Sequence, residues 1–137
     1  MHFDEPECSR WLEQAKYTLK AAENDHKGEF YSWCCFKTQQ AAEYALKGLL
    51  YGIAELGTGH SLLKICERLE DSDINCEEIR EFARKLDRFY IATRYPDAVP
   101  EGTPKEFYSK EDSKRAMGYA KRIIAFVEVK IDDLRKD

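Results

Sequence analysis

This chain has no excess of positive charge: 22 Lys and Arg stand against 26 Asp and Glu, a formal net charge of -4 over 137 residues. Gripping nucleic acid through global charge is therefore excluded, and any such binding must use a local patch. Histidine is scarce, at His2, His26 and His60, with no partner at ligand spacing. The five cysteines are odd in number and lack paired metal-ligand spacing. No metal site and no cofactor is expected from that inventory. Cys34 and Cys35 lie together in the most hydrophobic segment, where buried free thiols are common, and a reducing, cytoplasmic setting is the simple expectation. No apolar run is long enough to span a bilayer. The first six residues have neither a basic flank nor an apolar core, so they do not read as a signal peptide. Gly57-Thr58-Gly59 follows a helical pattern rather than a strand and lacks the lysine of a phosphate loop. A serine nucleophile elbow is absent. So are strand-type alternation, internal repeats and low-complexity tracts.

What is present is helical. Hydrophobic residues make up 43% and charged residues 35%, a globular mixture in a length suited to one core, so residues 1–137 are expected to form a single domain. Apolar spacing predicts a first helix over residues 8–26, with Gly28 as its stop, and a longest helix over residues 29–56. A short helix follows at residues 61–69. A fourth is expected over residues 75–94, with Asn75 and Glu78 as a capping pair and Pro96 blocking further helix. Three of the four prolines fall within residues 95–107, a loop over the end of the helices. Ser109, with Asp112 three residues on, should cap a last helix running nearly to the end. The fold class is thus all-α: an antiparallel up-and-down four-helix bundle with an additional short helix.

The second helix carries its polar groups in a narrow file. Gln39, Glu43 and Lys47 recur every fourth residue, so their side chains stack along one flank. A glutamate in so apolar a helix needs partners. Either a polar site between helices or a specificity device within a bundle or dimer accounts for it. The same helix has two apolar sides. Trp33, Tyr44 and Tyr51 line up opposite the broader one, and that aromatic face is expected to form a homodimer interface.

On the fourth helix Asp87, Tyr90 and Arg94 share a flank. A guanidinium at the helix end can bind phosphate or carboxylate in forked geometry, or close a pair with Asp87 or Asp97. Lys110, Lys114 and Lys121 on the last helix, with Arg84 and Arg88, form either a local positive patch or an ordinary solvated surface.

Taken in order, Gln39-Gln40-Ala41-Ala42-Glu43-x-Ala45-Leu46-Lys47, Gly59-His60-Ser61-Leu62, Leu86-Asp87-x-x-Tyr90-Ile91-x-Thr93-Arg94-Tyr95-Pro96-Asp97 and Phe107-Tyr108-Ser109-x-Glu111-Asp112-Ser113 resemble the HEPN domain family. That is the higher eukaryotes and prokaryotes nucleotide-binding domain, also described as the substrate-binding partner of nucleotidyltransferases. The resemblance implies a helical module that pairs with itself and partners a minimal nucleotidyltransferase, often as a toxin–antitoxin couple, and that binds a nucleotide or RNA. In such a module the Gln39, Glu43 and Lys47 file and the Asp87, Tyr90 and Arg94 flank are expected to line the ligand cleft. Many members are metal-independent ribonucleases that use an arginine and then, after four to six intervening residues, a histidine. Arg94 occupies the arginine position, but Val99, Pro100 and Glu101 stand where the histidine would fall. The expectation therefore leans towards a binding module rather than an enzyme. His60 is the one histidine placed to replace the missing base.

Overall fold

The computed structural model describes residues 2–136, and among them every regular element is helical. The order is α1 (Glu5–Lys27), α2 (Tyr31–Gly52), α3 (Leu62–Asp71), α4 (Arg80–Asp87), α5 (Phe89–Ala92), α6 (Pro104–Phe107) and α7 (Lys110–Arg135). Single 3-10 turns at Glu77–Ile79 and Pro96–Ala98 complete it. No helix among the described residues is long and apolar enough to cross a membrane.

The first helix starts three residues before the expected residue 8, at a cap the spacing did not mark, whereas the cap expected for the last helix is present. The Asp4 side chain accepts from the Glu7 amide at 3.1 Å, with Glu5 and Glu7 in the first turn and His26 and Lys27 in the last, as the helix dipole favours. Ser109 and Asp112 form a reciprocal capping box on α7. Asn75 does not pair with Glu78. Its side chain accepts from the Glu77 amide at 2.8 Å instead, closing a local turn that feeds the 3-10 segment.

The α1 helix runs antiparallel to both α2 and α7, so those two lie parallel to each other, with Cys34 of α2 against the Ser113 carbonyl of α7 at their N-terminal ends. Glu5 meets Arg135 and Lys16 meets Glu128 between α1 and α7, while Asp25 meets Lys37 between α1 and α2. The central helix is α2, most of whose residues are buried. Its small side chains let α1 approach closely. A Cβ at Gly48 would meet the Cys8 carbonyl oxygen at 3.0 Å and the Trp11 Cβ at 3.1 Å. Around it the core gathers Leu46, Leu49, Leu50, Leu62, Ile65, Leu86, Ile123 and Val127, all fully buried.

Two expected spans differ. The second helix ends at Gly52 rather than at residue 56. The Glu55 amide bonds the Leu50 carbonyl at 2.8 Å and the Ala54 amide bonds that of Tyr51 at 3.1 Å, a Schellman closure with Ala54 at φ 64°. The same closure ends α1, with Glu29 at φ 67°, and α3, with Asp73 at φ 67°. Gly28 is beside the reversal of α1 but has φ -83°, so the left-handed residue is its neighbour. No glycine marks any of the three left-handed positions, which is why the stop of α2 is invisible to composition. The expected fourth helix is also interrupted: a 3-10 turn, α4 and α5 follow one another, with the chain relaxing at Arg88.

All five cysteines are free and buried. Burial pushes the Cys8 and Cys34 thiols up to about 12. In the unfolded chain thiols ionise near ~8.5. Their folded values are raised, so the stability they hold is complete below that pH and is lost as pH rises towards the folded values. Ellman's reagent at pH 8 should find no fast-reacting thiol in the native protein and all five in guanidinium, and the melting temperature should fall as pH rises beyond 9. A rapidly labelled native thiol would contradict this. Separately, Ala54→Gly should raise stability by about 0.5–1 kcal/mol, because it removes a Cβ from a left-handed position. Denaturant unfolding of the variant, with the wild type alongside, measures the difference.

Candidate functional site

The polar file of α2 emerges at one place on the surface, where it meets the turn that opens α3 and the last turn of α5. Glu43 is 3% exposed, so its carboxylate must be neutralised or bonded. Three groups do so. Lys47 Nζ lies 2.9 Å from Oε2, His60 Nδ1 lies 3.2 Å from Oε2 and 3.3 Å from Oε1, and Gln40 Nε2 donates to Oε1 at 3.3 Å. Gln39 faces the same turn, donating from Nε2 to the His60 carbonyl at 2.8 Å, while its own Oε1 accepts from Gln40 at 2.8 Å. The file thus fixes the backbone and the side chain of His60 at once.

The turn bearing His60 is further held from α3 and α4. Gly59 takes φ 83°, a conformation that favours glycine, to deliver His60 and Ser61 to the start of α3. Arg68 reaches back to the carbonyls of Leu56 and Thr58 at 3.0 and 3.1 Å. Asp87 accepts from the Leu62 and Leu63 amides at 2.8 and 3.2 Å and from Ser61 Oγ at 3.0 Å. A carboxylate on the exposed amides of a helix N-terminus is strongly favoured by hydrogen bonding and by the dipole. Asp87 therefore points towards α3, with its oxygens occupied. It fixes the site from behind and forms no pair with Arg94.

Tyr90 carries the site from α3 to α5. Its ring stacks on His60 with centroids 4.6 Å apart and an interplanar angle of 16°. Arg94 Cζ lies 4.9 Å from the same ring, 4.2 Å from that of Phe36 and 5.2 Å from that of Tyr95. The Arg94 Nε donates to the Tyr90 carbonyl at 2.9 Å, and the guanidinium has no carboxylate partner among the described residues. Glu43 and Arg94 are thus joined by a continuous path through His60 and Tyr90. The arrangement offers a half-exposed imidazole held at Nδ1 by a buried carboxylate, and an unneutralised guanidinium on an aromatic platform.

Six residues expected from sequence come together here: Gln39, Glu43, Lys47, His60, Tyr90 and Arg94. Gln40 and Phe36 belong with them, although their spacing alone does not single out either as a ligand group. Extending the file one turn towards the N-terminus, to the position seven residues before Glu43, would have reached Phe36. The aromatic residues Trp33, Tyr44 and Tyr51 do not stand together as a free face. Trp11 of α1 stacks on Tyr51 at 4.9 Å and lies 6.1 Å from Tyr44, so α1 covers these two rings. Trp33, 47% exposed, lies a helix-length away beside Phe36. No cluster of three or more metal-ligating side chains occurs among the described residues.

If Asp87 anchors the His60 turn, Asp87→Ala should destabilise the protein by about 1–3 kcal/mol, since two amides and a hydroxyl lose a charged acceptor. Hydrogen exchange should accelerate at Leu62 and Leu63 while the α1–α2 amides stay protected. Unchanged exchange at both positions would refute the anchoring role.

Residues 8–130 match the family described as the HEPN domain. Among solved structures, TT1696 from Thermus thermophilus is 39% identical with a TM-score of 0.86, over 95% of this chain and 99% of that one. The archaeal HEPN homologue ST0689 is 32% identical with a TM-score of 0.75, over 90% of this chain and 97% of that one. A HEPN domain protein from Thermotoga maritima is also 32% identical, with a TM-score of 0.71 over 90% and 98% of the two chains. Sacsin of Homo sapiens is 27% identical over 129 residues, which cover 89% of this chain and 3% of sacsin. The chain spans only that small fraction of the curated relative. With the family match extending over nearly all of it, and with the helical order and the Gln39-to-Lys47 file in place, this chain belongs to the HEPN domain family.

Proposed function

We propose that this chain is a nucleotide- or RNA-end-binding HEPN module that works as a homodimer and docks a minimal nucleotidyltransferase, as in toxin–antitoxin couples. The observation that carries the binding role is Arg94. Its guanidinium lies over the rings of Phe36, Tyr90 and Tyr95 and is not neutralised by any acid among the described residues. An unpaired, ring-supported guanidinium suits a phosphate, which it meets in forked geometry. Exposed Tyr95, beside it, offers a base a stacking face. Glu43 orients the Lys47 ammonium and the His60 imidazole towards the same ligand, and Asp87 acts indirectly by fixing the turn. Trp33 retains the exposure that a dimer contact requires, whereas Tyr44 and Tyr51 contribute behind Trp11.

A metal-independent endoribonuclease is the second reading, favoured by the Glu43–His60 pair. With Nδ1 bonded to Glu43, His60 Nε2 is free to take the proton of a ribose 2′-hydroxyl. The hydroxyl oxygen then attacks the adjacent phosphorus and the 5′-oxygen leaves with a proton, giving a 2′,3′-cyclic phosphate. Arg94 would neutralise the charge that builds on the phosphoryl oxygens.

One set of variants tests both. Arg94→Ala should weaken binding of end-phosphorylated oligoribonucleotides at least tenfold by fluorescence anisotropy, His60→Ala should weaken it less, and the RNA should stay intact with the wild type. RNA cleavage by the wild type that disappears in Arg94→Ala, His60→Ala and Glu43→Gln would replace the binding reading with the enzymatic one. Absence of binding to every nucleotide and oligonucleotide offered would reject both.

A further inference from the structure

A groove of about 260 Å³ runs between α4 and the first turns of α7, lined by Lys85, Arg88, Phe89, Asp112, Arg115 and Tyr119. It shares no residue with the Arg94 site. Asp87 turns towards α3, whereas Lys85 and Arg88 lie on the flank of the same helical stretch that looks at α7. The two places are therefore separate surfaces.

The charge in this groove is unbalanced. Nearby cations that have an acid within reach use it: Arg80 pairs with Glu70 and Glu77, and Arg84 pairs with Glu81. Lys85, Arg88 and Arg115 have no carboxylate partner among the described residues. The one acid in the lining, Asp112, has an oxygen already engaged. Its Oδ2 accepts from the Ser109 amide at 2.8 Å and from Ser109 Oγ at 3.0 Å in the capping box. Three like charges thus face a common space in a protein whose net charge is -4. They repel one another until an anion enters.

The groove is also organised. Phe82 stacks on Tyr119 at 5.5 Å and an interplanar angle of 19°, which fixes the phenol ring. Lys85 Nζ sits 5.2 Å from that ring's centroid and donates to the Tyr119 hydroxyl at 3.5 Å, leaving the phenolic proton free to donate. Two guanidinium forks, an ammonium and a hydroxyl then present donors only. The start of α7, a 26-residue helix, adds the positive end of its dipole. A pocket with three cations and a hydroxyl against one capped carboxylate matches a group that carries several acceptor oxygens and more than one charge. We propose that the α4–α7 groove is a second anion site that takes a phosphate group, with Arg88 and Arg115 as its forks and Lys85 and Tyr119 at its base.

Inorganic phosphate, 5′-AMP, a short oligouridylate and an oligoglutamate peptide are titrated into the isotope-labelled full chain. Amide NMR shifts at Arg88, Arg115 and Tyr119 are followed in the wild type, in Arg94→Ala and in Arg88→Gln/Arg115→Gln. Circular dichroism of the double variant confirms that the fold is kept. The phosphate-bearing probes should move the three amides in the wild type and in Arg94→Ala, and the double variant should lose the response. Saturation by phosphate and AMP alike identifies a free-anion site. Saturation by the oligouridylate alone identifies a polymer backbone, and then the double variant should bind it about tenfold more weakly, with a salt slope reduced by ~1.4. The inference is overturned if no phosphate-bearing probe moves these amides, or if the oligoglutamate moves them as strongly. Either result leaves the Arg94 reading untouched, because that reading rests on the Arg94→Ala comparison.

Discussion

A single buried carboxylate organises the face of this molecule where α2, the His60 turn and α5 meet. Glu43 sits in the central helix, where removal from water would be prohibitive for a lone charge, and its oxygens are answered by Lys47, His60 and Gln40. Removing one member of such a group leaves the others buried and uncompensated, at a cost of about 3–5 kcal/mol. That magnitude exceeds anything a surface ion pair such as Lys16–Glu128 contributes. The consequence for the fold is positional. His60, on a turn that would otherwise follow its own local preferences, is tied to the stiffest element of the structure, and Tyr90 and Arg94 are then ordered by stacking upon it.

Much of this was readable in one dimension. The helical period showed the long helices because each needs one apolar stripe, and the Gln39–Glu43–Lys47 file was conspicuous because polar groups are rare in that segment. The capping residues of α7 were equally plain, being a local side chain-to-backbone interaction. What escaped was decided by distant neighbours or by backbone shape. The end of α2 is set by a left-handed alanine, a residue type that carries no turn signal. The fate of Asp87 depended on where the start of α3 lies, twenty-five residues before it in sequence. The cover over Tyr44 and Tyr51 came from Trp11, whose own spacing marked it only as one more apolar position on α1.

The break between α4 and α5 belongs to the same class. Apolar spacing continues smoothly from Ile79 to Phe89, so period alone predicts one rod. The interruption at Arg88 divides a short stretch whose residues serve two different neighbours: Asp87 is bonded to α3, and Tyr90 is stacked on His60, while Lys85 and Arg88 look towards α7.

The multiple tethering of the His60 turn has a mechanical consequence. Gln39 holds it to α2, Arg68 reaches it from α3, and Asp87 holds it to the α4 segment through Ser61. No swinging flap can be made from a segment braced at so many points. A force applied to the imidazole is shared at once by three helices, so the turn bears load as part of the scaffold and not as a loop of its own.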